Sequence, residues 1–535
     1  METQLATADQ ETTLPPPKTA PLSQAIDQSA AATTVEARPK YYPLGVSRPP
    51  LEVADLPTPE QVFQVKRLGW EEMLLLALGP GVIALGLSIG SGEWILGPLS
   101  VSQYGLKGIF WVVLVSTILQ VFYNVELARY TLATGEPPVV GFGRTPPGYL
   151  LWVPLALLSF IAAFILGGWA VSAGSSLYAL IVDRPVGEAD LEIARLIGIG
   201  LMLSVFILLM VGRKIERTME AVQGLFLPYI LIGLVMVTFV VVPLSYLGGA
   251  LTALVIPARP PQGTDVTLLG ALAGFAALAS GLNFMFIGYY RDKGYAMGHY
   301  TGYLPSLFNP RPAAIRPVGV TFPEDEQNTL RWKRWFRILL LDQWGIYFVG
   351  ALLGIALPSI LISYLIVNSG QPAPGQSEIL YATSQLLSQR YGQLVGSWAL
   401  ITGFVILYST QIAVLELLAR NLTDGLYGVS GRFRRWVKND PRRFYYPALL
   451  GLILVISVII HLDTPVGLSV LSGNLSNFAA MLFPLAMIYL NLKLPRPARI
   501  TWWSILALAA NALFFGFFFI NFLAVQMTGS PLVRF

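Results

Sequence analysis

One apolar stretch, residues 73–103, contains Gly79-Pro80-Gly81, Gly86, Gly90-Ser91-Gly92-Glu93-Trp94 and Gly97-Pro98. At about 1.5 Å per residue it is long enough to cross roughly 30 Å of hydrocarbon, yet its composition opposes a continuous helix. Each glycine costs about 1 kcal/mol in a helix interior, and a carboxylate at mid-bilayer depth costs about 3 kcal/mol on insertion scales. Non-helical backbone survives at that depth only where protein or a polar cavity satisfies the freed amides and carbonyls. The stretch therefore predicts a helix interrupted around Gly90–Glu93, with the acid at the interruption. A fainter version, Ala279-Ser280-Gly281-Leu282-Asn283, lies in the sixth apolar stretch and repeats the Ser-Gly pair. Two interrupted helices in corresponding positions mark an inverted-repeat transporter with its site near the bilayer midplane.

Eleven apolar stretches of spanning length follow one another, at 73–103, 107–134, 150–182, 191–212, 219–245, 266–290, 336–367, 398–420, 444–462, 466–492 and 501–525. They predict an all-α integral membrane protein with about eleven transmembrane helices, arranged as a 5+5 inverted repeat plus one extra helix. Repeat one covers 73–245, repeat two 266–492 and the extra helix 501–525, within a transporter domain over 69–528. Five spans per repeat also invert the second against the first. Residues 1–68 are rich in Pro, Ala, Thr and Gln without a sustained apolar period, and read as a disordered cytoplasmic tail. No apolar core of about 7–15 residues follows Met1, so a secretory signal is not expected. Residues 291–335 form a long cytoplasmic loop holding the acidic run Glu324-Asp325-Glu326.

The composition agrees with a membrane setting: 54% of the 535 residues are hydrophobic and 12% charged. The net charge of +5 would suit nucleic acid if the basic residues were clustered at random. With a cytoplasmic N-terminus, however, the outer side keeps only Lys107, Arg184, Arg195, Arg259, Arg390 and Arg534 of the 35 Lys and Arg residues. Such a split follows the positive-inside rule, so the basic residues face anionic lipid headgroups and no nucleic-acid partner is expected. Zero cysteines exclude thiolate metal sites and a catalytic cysteine, and the two histidines, His299 and His461, are far apart in sequence. With no catalytic constellation in the spans, an enzyme is not expected.

Glu93 is the leading ligand candidate, because an intramembrane ionisable group is a functional site by default. Ser91, Ser280 and Asn283 are secondary candidates, against the plainer role of small polar residues as helix-packing contacts. Gly90 would contribute backbone flexibility and a free carbonyl. Asp342 on the seventh span is expected to pair with an interfacial arginine. Glu126 with Arg129, and Glu416 with Arg420, have the spacing of pairs across one helical turn.

The run Gly79-Pro80-Gly81-Val82 through Gly90-Ser91-Gly92-Glu93, with Gln103-Tyr104-Gly105 and Leu132-Ala133-Thr134-Gly135, resembles the first two helices of the Nramp divalent-metal transporters. The resemblance extends more faintly over residues 73–492 and implies the leucine-transporter-like fold. Where the family has Asp-Pro-Gly-Asn this chain has Gly90-Ser91-Gly92-Glu93. Where it has Met-Pro-His-Asn this chain has Ser280-Gly281-Leu282-Asn283. The soft thioether ligand and the proton-linked histidine are thus replaced, the third span carries no charge, and Asn474 and Asn477 stand at or near the family's substrate-facing glutamine. An oxygen-only site suits Mg²⁺ or Mn²⁺ better than softer metals. The implied function is a secondary transporter or facilitator of a hard divalent cation in the plasma membrane, without the family's proton coupling. Its metal-site residues would be Glu93, Gly90, Ser91, Ser280, Asn283 and Asn474, with the cation as substrate and no cofactor. A carrier of a small organic solute such as an amino acid or amine, and a non-transporting subunit on the same scaffold, are the alternatives. The partners implied are the metal ion and the bilayer, and a monomer satisfies the reading.

Overall fold

A computed structural model describes residues 41–42, 48–65, 69, 80–211, 214–276, 278, 280–308, 315–370 and 379–535. The expected tail over 1–40, the opening of the first span and Ala279 lie outside the described residues. In chain order the spans are α1 (Pro80–Ser88) with α2 (Gly97–Tyr104), α3 (Phe110–Thr134), α4 (Tyr149–Phe164) with α5 (Gly168–Val182), α6 (Leu191–Met210), α7 (Ile215–Val241), α8 (Val266–Phe275) with α9 (Ser280–Phe286), α10 (Glu326–Leu340) with α11 (Val349–Ser369), α12 (Gln393–Val429), α13 (Arg442–Ile459), α14 (Pro465–Leu492) and α15 (Trp502–Thr528). Two π-helical segments join pieces of a span, Gly92–Leu96 between α1 and α2 and Leu341–Phe348 between α10 and α11.

Among the described residues, nine of these spans are long and apolar enough to cross a membrane on their own. The first span makes a tenth, bent by 43° at the expected interruption. The sixth is also in two pieces, because Ala276 leaves the helical region (φ −61°, ψ 114°) after α8 and the helix restarts at Ser280. The third span, read from sequence as one helix over 150–182, is hinged as well. Gly167 between α4 and α5 has φ +70°, a conformation that glycine adopts without strain.

The reading of residues 1–68 as a tail fails for 48–65. Strands β1 (Tyr41–Tyr42), β2 (Leu51–Val53) and β3 (Val320–Thr321) form one small sheet in that order. The first pair is antiparallel and the second parallel, with Glu52 beside Val320. A short helix, Pro59–Phe63, follows, opened by a reciprocal capping box between Thr58 and Gln61. Leu51 and Leu56 are fully buried. Trp335 donates from its indole to the Pro57 carbonyl at 2.7 Å, and Asn328 accepts from the Leu56 amide at 2.8 Å. The expected loop over 291–335 is thereby partly structured: Asp325 caps α10, and Glu324 accepts from the Arg496 amide at 2.9 Å.

Beside this segment Glu136 is gripped by Arg144 through two 2.8 Å bonds and also accepts from the Gly319 amide at 3.0 Å. Burial alone would push the Glu136 carboxyl up, but the guanidinium groups of Arg144 and Arg48 and the Gly319 amide hold it at about 2, against an ordinary 4.5. A depressed carboxylate stabilises the fold above its unfolded value and loses that contribution as the pH falls towards its folded value. This corner should therefore lose about 3 kcal/mol between roughly pH 4.5 and 2. Melting temperatures at pH 5 and pH 3 should differ more in the wild type than in Glu136→Gln; equal differences would disprove the assignment.

Both expected helical pairs form, Glu126–Arg129 at 2.8 Å and Glu416–Arg420 at 2.7 Å. The second belongs to a larger buried network in which Arg420 also pairs with Asp292, and Arg291 with Asp292 and Asp424. Among the described residues, Asp342 pairs with no arginine. It accepts from the Gly81 amide at 2.9 Å, from the Tyr290 hydroxyl and from the Gln343 side chain at 3.1 Å. A backbone amide near the described start of α1 supplies the partial positive charge that an arginine would otherwise bring.

Candidate functional site

The two interruptions touch. A methyl group placed on Gly92 would lie 2.5 Å from Phe275 Cβ, so the π-helical turn of the first span packs directly on the last turn of α8. Gly92→Ala should cost about 1–3 kcal/mol through overpacking. Because the clash is with the β-carbon itself, the cost of Gly92→Ala should be smaller when it is measured in a Phe275→Gly background than in the wild type, and no smaller in a Phe275→Ala background. An equal cost in all three backgrounds would argue against this contact.

Glu93 is 1% exposed, and its Oε2 accepts from the Gly90 amide at 2.8 Å. The side chain thus reaches back to an amide freed by the break, where the positive end of the following half-helix favours a carboxylate. The freed carbonyls of α1 are met by α12: Ser409 donates to the Gly86 carbonyl at 3.2 Å and Thr410 to the Ile89 carbonyl at 3.1 Å. Those of α8 are met by α3. Ser116 donates to the Ala273 carbonyl and Gln120 to the Ala276 carbonyl, each at 2.6 Å.

Asn283 donates to Asn124 Oδ1 at 2.7 Å, leaving its own Oδ1 buried and without a hydrogen-bond partner among the described residues. Tyr347, from the second π-helical segment, is fully buried, sits against Asn124 and lies within the electrostatic reach of Glu93. Glu93, Gly90, Ser91 and Asn283 are therefore gathered at or beside the paired breaks. Ser280 opens α9. Asn474 is placed elsewhere: it donates to the Thr267 carbonyl at 2.8 Å and to Val470 at 2.9 Å, bracing α8 about two turns before its broken end. Asn477 does the same at Gly270, at 2.9 Å.

The sequence reading missed α3 as a wall of the site. Ser116, Gln120 and Asn124 recur at every fourth position along α3, the spacing of one helix face, and that stripe is the signal that would have found them. Among the described residues, no three His, Asp or Glu side chains gather as a metal-ligand set. On the face assigned to the outside, a cavity of about 200 Å³ is lined by Ile95, Ser172, Glu188, Ile379 and Thr464. Ile95 is two residues from Glu93.

No protein-family model matches the sequence, and no curated protein matches it. Solved structures do. The Eremococcus coleocola manganese transporter in complex with an aromatic bis-isothiourea substituted compound is 13% identical, covers 86% of this chain and 89% of its own, and superposes with a TM-score of 0.53. A point mutant of the same transporter is 14% identical with a TM-score of 0.56, covering 86% of this chain and 88% of its own. MhsT in complex with L-phenylalanine is 15% identical with a TM-score of 0.55, covering 83% and 97%. Paired broken helices, the order of the spans and these superpositions agree: the chain is an integral membrane protein with the leucine-transporter-like fold.

Proposed function

We propose that the protein is a secondary carrier or facilitator of a hard divalent cation such as Mg²⁺ or Mn²⁺, acting in the plasma membrane. The observation that carries this reading is Glu93, a buried carboxylate at the contact of two broken helices. Ser91 beside it in the chain, Asn283 on the other broken helix and Tyr347 bring oxygen, which suits hard cations. Carboxylate, amide oxygen and backbone carbonyls would replace part of the hydration shell, leaving the remaining positions to water. The likeness to a manganese transporter supports the class, and the departures from the Nramp motifs at Ser280–Asn283 support transport without proton coupling.

The experiment is uptake of Mn²⁺ and of Mg²⁺ into proteoliposomes with no imposed pH gradient. Flux of at least one ion without acidification of the lumen is the expected result. The second reading is a carrier of a small organic cation or amino acid. It is favoured by the side-chain N–H groups of Asn124, which are buried without a hydrogen-bond partner among the described residues and which a bare metal ion cannot use, and by the likeness to MhsT solved with L-phenylalanine. Uptake of an amino acid or amine with no metal flux would replace the first reading by the second.

A further inference from the structure

We propose that residues 48–63 are a latch across the basic-rich face, with Arg48 as its bolt, and that this latch must detach before the site can open to that side. The inference rests on the carrier reading. Carriers of this architecture work by rocking one group of helices against another around a fixed site, so contacts that cross between groups on one face hold that face shut.

Arg48 makes such contacts. Its guanidinium donates to the carbonyls of Val140, Pro317 and Gly428 at 2.9, 3.1 and 2.8 Å. Val140 lies on the short helix after α3, Pro317 in the segment between α9 and α10, and Gly428 in the last turn of α12. One side chain therefore ties together the short helix after the second span, the loop between the sixth and seventh spans, and the end of the eighth span. Each bond comes from a charged donor, and together they satisfy three carbonyls at a half-buried position. The rest of the segment adds a β-ladder to Val320–Thr321 and anchors on α10. Arg331 donates to the Leu56 carbonyl at 2.9 Å, and Arg334 pairs with Glu60. Beneath it lies the buried Arg291–Asp292–Arg420–Glu416 network, which joins the end of the sixth span to the eighth. The opposite face holds the 200 Å³ cavity that reaches Ile95. One face is fastened and the other is hollow.

The chain has no cysteine, so introduced thiols have no background. Glu52 and Val320 are partners in the parallel ladder, and Glu52→Cys with Val320→Cys can be bridged there. A third change, Ser88→Cys on α1 between the latch and Glu93, reports access from the basic-rich face to a membrane-impermeant maleimide. Ser88 is 4% exposed in the present state. Oxidation of the ladder pair should cut labelling at position 88 more than tenfold, and dithiothreitol should restore it. In a separate Ser88→Cys, Arg48→Ala variant, labelling should rise several-fold. The two variants push in opposite directions, so a failure to fold cannot imitate the result. Equal labelling in oxidised and reduced protein, or no increase in Arg48→Ala, overturns the latch. Because labelling needs no substrate, either outcome is separable from loss of the cation reading.

Discussion

Glu93→Gln is expected to lower cation uptake at least about thirty-fold. Removing one partner from a buried, hydrogen-bonded charge interaction costs about 2 kcal/mol or more, and each 1.4 kcal/mol is tenfold. The substitution keeps the volume and an oxygen that can still accept from the Gly90 amide, so the break itself is preserved. The melting temperature should accordingly stay close to that of the wild type. Initial rates in proteoliposomes across a range of Mn²⁺ or Mg²⁺ concentrations provide the measurement. Unchanged rates and affinity in a well-folded variant would reduce Glu93 to a helix cap and remove the centre of the proposed site.

Arg420→Met is expected to destabilise the protein by about 3–5 kcal/mol, the cost of leaving buried charges without their partner. Arg420 is fully buried, pairs with both Glu416 and Asp292, and lies 4.7 Å over the Tyr289 ring. Without it, two carboxylates face each other in an apolar surround, with Arg291 left to balance Asp292 and Asp424. Adding Glu416→Leu to Arg420→Met removes one of the stranded charges and should recover part of the loss. Thermal denaturation of the purified variants tests both statements. A single variant as stable as the wild type would mean that the network is held neutral by other means.

Much of the architecture was legible because hydrocarbon imposes a simple rule on sequence. Spanning lengths and the basic-residue asymmetry marked the helices, and the Gly90–Glu93 and Ser280–Asn283 motifs marked both breaks. What the sequence concealed is held together at long range. Residues 48–63 have Pro, Glu and Asp in quick succession and no apolar period. Their order comes from Asn328, Arg331 and Trp335, which lie hundreds of residues later and leave no local trace. The same holds for Asp342, whose partner is a backbone amide, a group that every sequence contains. The site was half legible: Glu93 and Asn283 stood out as polar groups at breaks, whereas Asn474 was carried over from a resemblance and in fact braces a helix. Gln120 and Asn124 were visible in principle, since their spacing from Ser116 follows the helical period.

Glu93 and Tyr347 stand on different spans, yet both are carried by π-helical turns, Gly92–Leu96 and Leu341–Phe348. Such a turn accommodates one residue more than the α-helix on either side. An α-helix rotates about 100° per residue, so passing that surplus residue along by one position would swing a side chain through about that angle. Only a few backbone bonds need exchange. The carboxylate and the phenol would then swing about the axes of their own helices, into or out of the space between the spans, by a local slippage, while the long helices that bear them stay where they are.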